Sequence, residues 1–195
     1  MLVPMPMRNE EMVNLLAQVA GRSGGAGVPE RNVSILSLAA ATYGSRPSDE
    51  ATVPTGFDPA ACQLFEAIVE GAYLVACADG VFDDEERKTF ETVVTTACGG
   101  SVGPRAISAL VLDLKDQLQE DGLEKRIEAL CKHLVRPDHA REVLRIASLI
   151  ALVSDNVSDV ERAMLMRIAT ASGMVQSDVD SAIEDARVAL LPVPS

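Results

Sequence analysis

The residues of this chain whose types and spacing could do chemistry are carboxylates gathered in ACADGVFDDEE, residues 76–86, at the end of an apolar run. Asp79, Asp83 and Glu86 flank Gly80, and hard divalent cations such as calcium or magnesium take oxygen donors of this kind together with water. If Asp79 is placed at the fifth position of a calcium loop, Gly80 falls on the glycine position, Asp83 on the ninth and Glu86 on the bidentate twelfth. The first and third positions then fall on Val75 and Cys77, which carry no carboxylate. A high-affinity EF-hand is excluded. The remaining expectation is a looser cation site of Asp79, Asp83 and Glu86, joined by Asp155 from a second acidic turn, with Asp159 and Glu161 as secondary candidates.

A purely local account explains most of the same residues. Asp83 stands three residues before Glu86, and Ser158 three before Glu161, the spacing at which two side chains satisfy each other's backbone N–H groups at a helix start. Carboxylates there also meet the positive end of the helix, each contributing ~0.3–1 kcal/mol. No His, Lys or Tyr accompanies the carboxylates within either turn to share acid–base work, so no catalytic residue is assigned and the chain is read as a non-enzyme. A metal-dependent enzyme using both turns is the alternative. Cys131, His133, Asp138 and His139 are close in sequence, but Cys131 falls on an apolar stripe and Pro137 separates the histidines, which are read as surface residues rather than zinc ligands. The string GRSGGAG at 21–27 lacks the Gly-Lys-Ser/Thr ending of a phosphate loop and reads as a linker.

The elements that must position these turns are helical. Aromatics make up 3% of the 195 residues and Trp is absent, so the 48% apolar fraction rests on Ala, Val, Leu and Met, which suit close-packed helices better than a sheet sandwich. The formal charge of −12 is concentrated after residue 60, where 23 acids face 13 bases. Such a surface repels phosphate backbones and anionic lipid; it excludes nucleic-acid binding and leaves cations and basic partners as counterparts. Four widely spaced cysteines without a CxxC pair read as small apolar residues in a reducing compartment. The opening MLVPMPMRNEEM lacks the pattern of a signal peptide, and no run nears the ~18 apolar residues of a membrane span. The expectation is a cytoplasmic protein without membrane insertion.

Apolar periodicity predicts a short helix over 8–20 and another over 32–44, separated by linkers. Residues 1–59 are therefore read as a variable segment with Gly- and Pro-rich connections, and 60–191 as the helical domain, with 192–195 as a tail. Within the domain, helices are predicted over about 60–78, from Asp83 to Gly99, from Pro104, from Leu123 to Pro137, from Asp138, after Ser158 and after a Ser177 cap.

Two of these hairpins repeat. GAYLVACADGVFDDEERKTFETVV from Gly71 lies over ASLIALVSDNVSDVERAMLMRIA from Ala147: Asp79 matches Asp155, and Glu86-Arg87 match Glu161-Arg162 after one residue is lost from the second turn. The expected fold is a compact all-α, multi-helix bundle with two pseudo-repeated helix, acidic turn, helix hairpins.

The Ala78-Asp79-Gly80 turn followed by Asp83, Glu86 and Arg87, and SDNVSDVERAMLMRIATASGM at 154–174, resemble the TerB family, a tellurite-resistance-associated helical domain also found in DnaJ-like co-chaperones. The resemblance covers about residues 60–190. In the second copy Asn156 stands where the family usually has glycine, so an ion site would be asymmetric and centred on Asp79 to Glu86. The resemblance implies a bacterial stress-response module that works through protein contacts with membrane-associated partners, presents acidic clusters to a divalent cation, and carries no established catalysis. A purely structural scaffold, whose N-terminal helix docks on a partner or on its own bundle, is the remaining reading.

Overall fold

A computed structural model describes residues 9–22, 33–45, 57–80, 82–154 and 156–191. Among them the chain forms α1 (Asn9–Ala20), α2 (Ile35–Gly44), α3 (Pro59–Ala76), α4 (Asp84–Ala97), α5 (Pro104–Asp121), α6 (Leu123–Cys131), α7 (Pro137–Ala151), α8 (Asp159–Ala171) and α9 (Gln176–Ala189). No strand occurs among the described residues, and the protein is an all-α bundle. No described helix is long and apolar enough to cross a membrane.

The fold is organised around α3 and α7, the first helices of the two repeated hairpins, which pack more extensively on each other than any other pair. Their apolar stripes are nearly continuous: Phe65, Ile68, Ala72 and Val75 of α3, and Val143, Ala147 and Leu149 of α7, are fully buried. At Gly71 the two helices pack so closely that a Cβ would overlap Val143 Cγ1. A residue without a side chain is required at that crossing.

Several boundaries differ from the sequence expectation. The fourth domain helix ends at Cys131 rather than running to Pro137, because the N–H groups of Lys132, His133 and Leu134 turn back to the carbonyls three residues earlier. Pro137 opens α7 instead, at the first-turn position where its missing N–H costs nothing. Ser177 is not a cap: α9 begins at Gln176, and the Asp178 carboxylate accepts the Val175 N–H at 2.9 Å.

The two N-terminal helices share the core of the domain, α1 against α4 and α2 against α3, with Leu16 and Leu36 fully buried. They are fastened at their ends by α7. Glu142 Oε1 accepts the Leu36 N–H at 3.0 Å, and Arg145 donates to the carbonyls of Val19 at 3.1 Å and Ala20 at 2.9 Å.

Candidate binding cleft at the acidic turns

In the first turn α3 stops at Cys77, and Gly80, at φ 84°, supplies the left-handed step that releases the chain. Phe82 pins the turn to the core. Its ring meets Tyr73 at 5.3 Å and Phe90 at 6.0 Å, both edge to face, and Tyr73 meets Phe90 the same way at 6.3 Å. Asp83 then caps α4: its Oδ1 accepts the N–H groups of Glu85 at 2.8 Å and Glu86 at 2.9 Å, while Glu86 Oε2 accepts the Asp83 N–H at 3.0 Å.

The second turn reaches the same end by another route. α7 tightens into a 3₁₀ turn, Leu152–Ser154, and Ser158 caps α8. Ser158 Oγ accepts the Glu161 N–H at 3.2 Å, and Glu161 Oε2 accepts the Ser158 N–H at 2.8 Å. Both predicted capping boxes are therefore formed. The paired arginines have diverged: Arg87 bridges Asp84 and Glu91 within its own helix, whereas Arg162 reaches Asp180 of α9 at 2.8 Å.

The two turns meet across one cleft of about 270 Å³. Its floor is Ala76, Phe82, Phe90, Ile150 and Val153; its rim carries the carboxylates of Asp83, Glu85, Glu86 and Glu161. No Lys, Arg or His lines it among the described residues. Of the residues expected to bind a cation, the cleft gathers Asp83, Glu86 and Glu161, while Asp79 and Asp159 are exposed and do not line it. Asp155 lies outside the described residues. Among the described residues no three His, Cys, Asp or Glu side chains converge in a way that would hold a metal ion.

The Cys131 and His139 region takes part in the packing of the bundle. Cys131 Sγ lies 3.5 Å from Ser172 Oγ. His139 is 8% exposed, not a surface residue as expected, because α7 starts at Pro137 and its first turn lies against the bundle. Arg136 Nε donates to His139 Nε2 at 3.1 Å, which requires that nitrogen to be unprotonated. Burial, reinforced by the Arg136 charge, lowers the His139 pKa below its ordinary value. All four cysteines are free. Burial pushes the Cys77 thiol up to about 11 and the Cys98 thiol up to about 12, so neither is a ready nucleophile.

Sequence reading missed two buried ion pairs and part of the cleft. Arg126 Nε donates to Glu70 at 2.6 Å, and burial raises the Glu70 pKa despite that partner. Arg145 Nε donates to Glu142 Oε2 at 2.8 Å, a pair visible only as an acid and a base three apart in an apolar stretch. Glu85 belonged to the acidic run but carried no cap spacing, and nothing in the sequence sets Ile150 and Val153 apart from the other apolar residues of their segment.

A family model described as "Tellurite resistance protein TerB" matches residues 65–184, more than half of the chain. The match includes both acidic turns and leaves α1 and α2 outside. Comparison with curated proteins returns no match, and comparison with solved structures returns none.

Proposed function

Because the chain belongs to the TerB family, we propose that it is a non-catalytic module of a tellurite-associated stress response, acting through protein contact at the cleft between its two acidic turns. The observation that carries this reading is that two hairpins far apart in sequence place their turns over one apolar-floored, acid-rimmed cleft. The caps explain why each turn is acidic; they do not require the two turns to face each other. The family resemblance carries the membrane-associated partner, and the widely spaced free cysteines support a cytoplasmic setting. A photo-crosslinking residue at Thr89, which lines the cleft, should capture a defined partner in tellurite-exposed cells, whereas one at exposed Leu112, outside the cleft, should not. Equal capture at both positions, or none at Thr89, would reject the contact.

The second reading is a weakly held divalent cation at Asp79, Asp83, Glu86 and Asp155, favoured by the way Asp83, Glu86 and Glu161 share the cleft. Titration with calcium, magnesium, manganese or zinc tests it at the backbone amides of residues 79–86. Unmoved amides rule that reading out.

A further inference from the structure

We infer that the cleft receives a basic, apolar-flanked segment of a protein partner: one Lys or Arg side chain whose aliphatic stem lies on the floor and whose cationic head meets the rim. This inference deepens the protein-contact reading and rests on it.

The chemistry of the lining argues for such an occupant. Phe82, Phe90 and Ile150 form an apolar floor suited to a methylene stem. The rim offers Asp83, Glu85, Glu86 and Glu161 with no base among the lining residues to neutralise them. An anionic or neutral occupant would leave that field uncompensated, and the chain as a whole adds to it with a formal charge of −12. A volume of about 270 Å³ is at or below the lower end for pockets that enclose drug-sized molecules, and suits one long side chain entering from a larger partner.

The carboxylates are also spread in a manner that suits an organic cation. A metal ion needs several oxygens converging at bonding distance, and among the described residues no such group of three exists. A guanidinium or ammonium accepts separated acceptors one at a time, at hydrogen-bond distance. The caps prepare these acceptors in advance. Each engages one carboxylate oxygen, Asp83 Oδ1, Glu86 Oε2 and Glu161 Oε2, which restrains the side chain while a carboxylate retains further lone pairs for a ligand. Less ordering remains to be done on binding.

The test uses the full chain and amide NMR. A short capped peptide carrying Leu-Arg-Leu should produce saturable shifts at Asp83, Glu86, Thr89, Val153 and Glu161. Replacing its Arg with Gln should weaken binding about tenfold, and raising the salt should weaken the Arg peptide alone. Glu86→Gln and Glu161→Gln are the matching variants. Glutamine can keep the capping box and loses only the charge at the helix end, so each should stay folded with a melting temperature within a few degrees of that of the parent chain while weakening the Arg peptide by about threefold. If the Gln peptide binds the same residues as tightly as the Arg peptide, the cationic occupant is overturned and the contact at Thr89 still stands. If the Arg peptide leaves the cleft amides unmoved while Thr89 captures a partner, the occupant is again wrong but the contact reading holds. Failure of both measurements removes both.

Discussion

Glu142 Oε1 accepts the backbone N–H of Leu36 at 3.0 Å across 106 residues of chain, and both groups are buried. Leu36 is the second residue of α2, so its N–H is one of the four that a helix start leaves without an intrahelical partner. One turn further along α7, Arg145 serves the opposite end of another helix, donating to the last carbonyls of α1 at Val19 and Ala20. A carboxylate at a helix N-terminus and a guanidinium at a helix C-terminus each match the local dipole, and the two are paired with each other. A single i,i+3 pair on α7 thus fastens both N-terminal helices to the family domain.

Removing one half of that fastening should cost more than removing a surface ion pair. Arg145→Ala leaves Glu142 nearly buried without its cation, a change that costs about 3–5 kcal/mol at comparable sites. Glu142→Gln keeps an acceptor for Leu36 and should cost less. Urea denaturation of the two variants checks the order, and hydrogen exchange should show α1 and α2 losing protection first in Arg145→Ala. Equal stability of both variants and the parent chain would mean that the pair does not hold the N-terminal helices.

The capping boxes make a second prediction. Asp83→Ala and Ser158→Ala should each destabilise by ~0.5–2 kcal/mol, because each leaves first-turn N–H groups of its helix without an acceptor. Thermal melts of the two variants beside the parent chain measure the loss. Melts unchanged from that of the parent chain at both positions would mean that these caps do not hold their helix starts.

These caps were legible in the sequence because they are local: Asp83 to Glu86 and Ser158 to Glu161 span three residues, and the chemistry of a helix start dictates the residue types. The same is true of most helix starts and of the repeat that pairs α3 with α7. What could not be read was anything fixed by tertiary packing. That the two turns share a cleft depends on how α3 and α7 cross, and Glu142 meets Leu36 only after α2 has docked. His139 was misread for a related reason. Its neighbours Arg136, Asp138 and Arg141 look like a solvated surface, yet the helix begins at Pro137 and sets His139 against the bundle.

His139 also gives the fold a pH dependence whose sign follows from its environment. Burial, then the Arg136 charge, lowers its folded pKa below the unfolded value near 6.5, so folding favours the neutral ring. That contribution is present above the unfolded pKa and is lost as the pH falls from there through the lowered folded pKa. Protonation of Nε2 also removes the acceptor for Arg136. Stability of the parent chain should therefore decline between about pH 7 and pH 5 more steeply than that of His139→Gln, which cannot titrate. Parallel pH profiles of the two proteins, by denaturant midpoint, would show that this ring does not contribute.

Gly71→Ala offers a test of the α3 and α7 crossing in which the sign alone decides. In an exposed helix interior the change should stabilise by about 1 kcal/mol, since alanine loses less backbone entropy than glycine. At Gly71 the new methyl would overlap Val143 Cγ1, and overpacking a filled core costs about 1–3 kcal/mol. The crossing therefore predicts destabilisation where propensity predicts the reverse. Val143→Ala in the same chain should relieve the overlap, so the double variant should be more stable than the sum of the two single changes. A double-mutant cycle measures that coupling, and additivity within about 0.3 kcal/mol would mean that Gly71 and Val143 do not pack against each other as described.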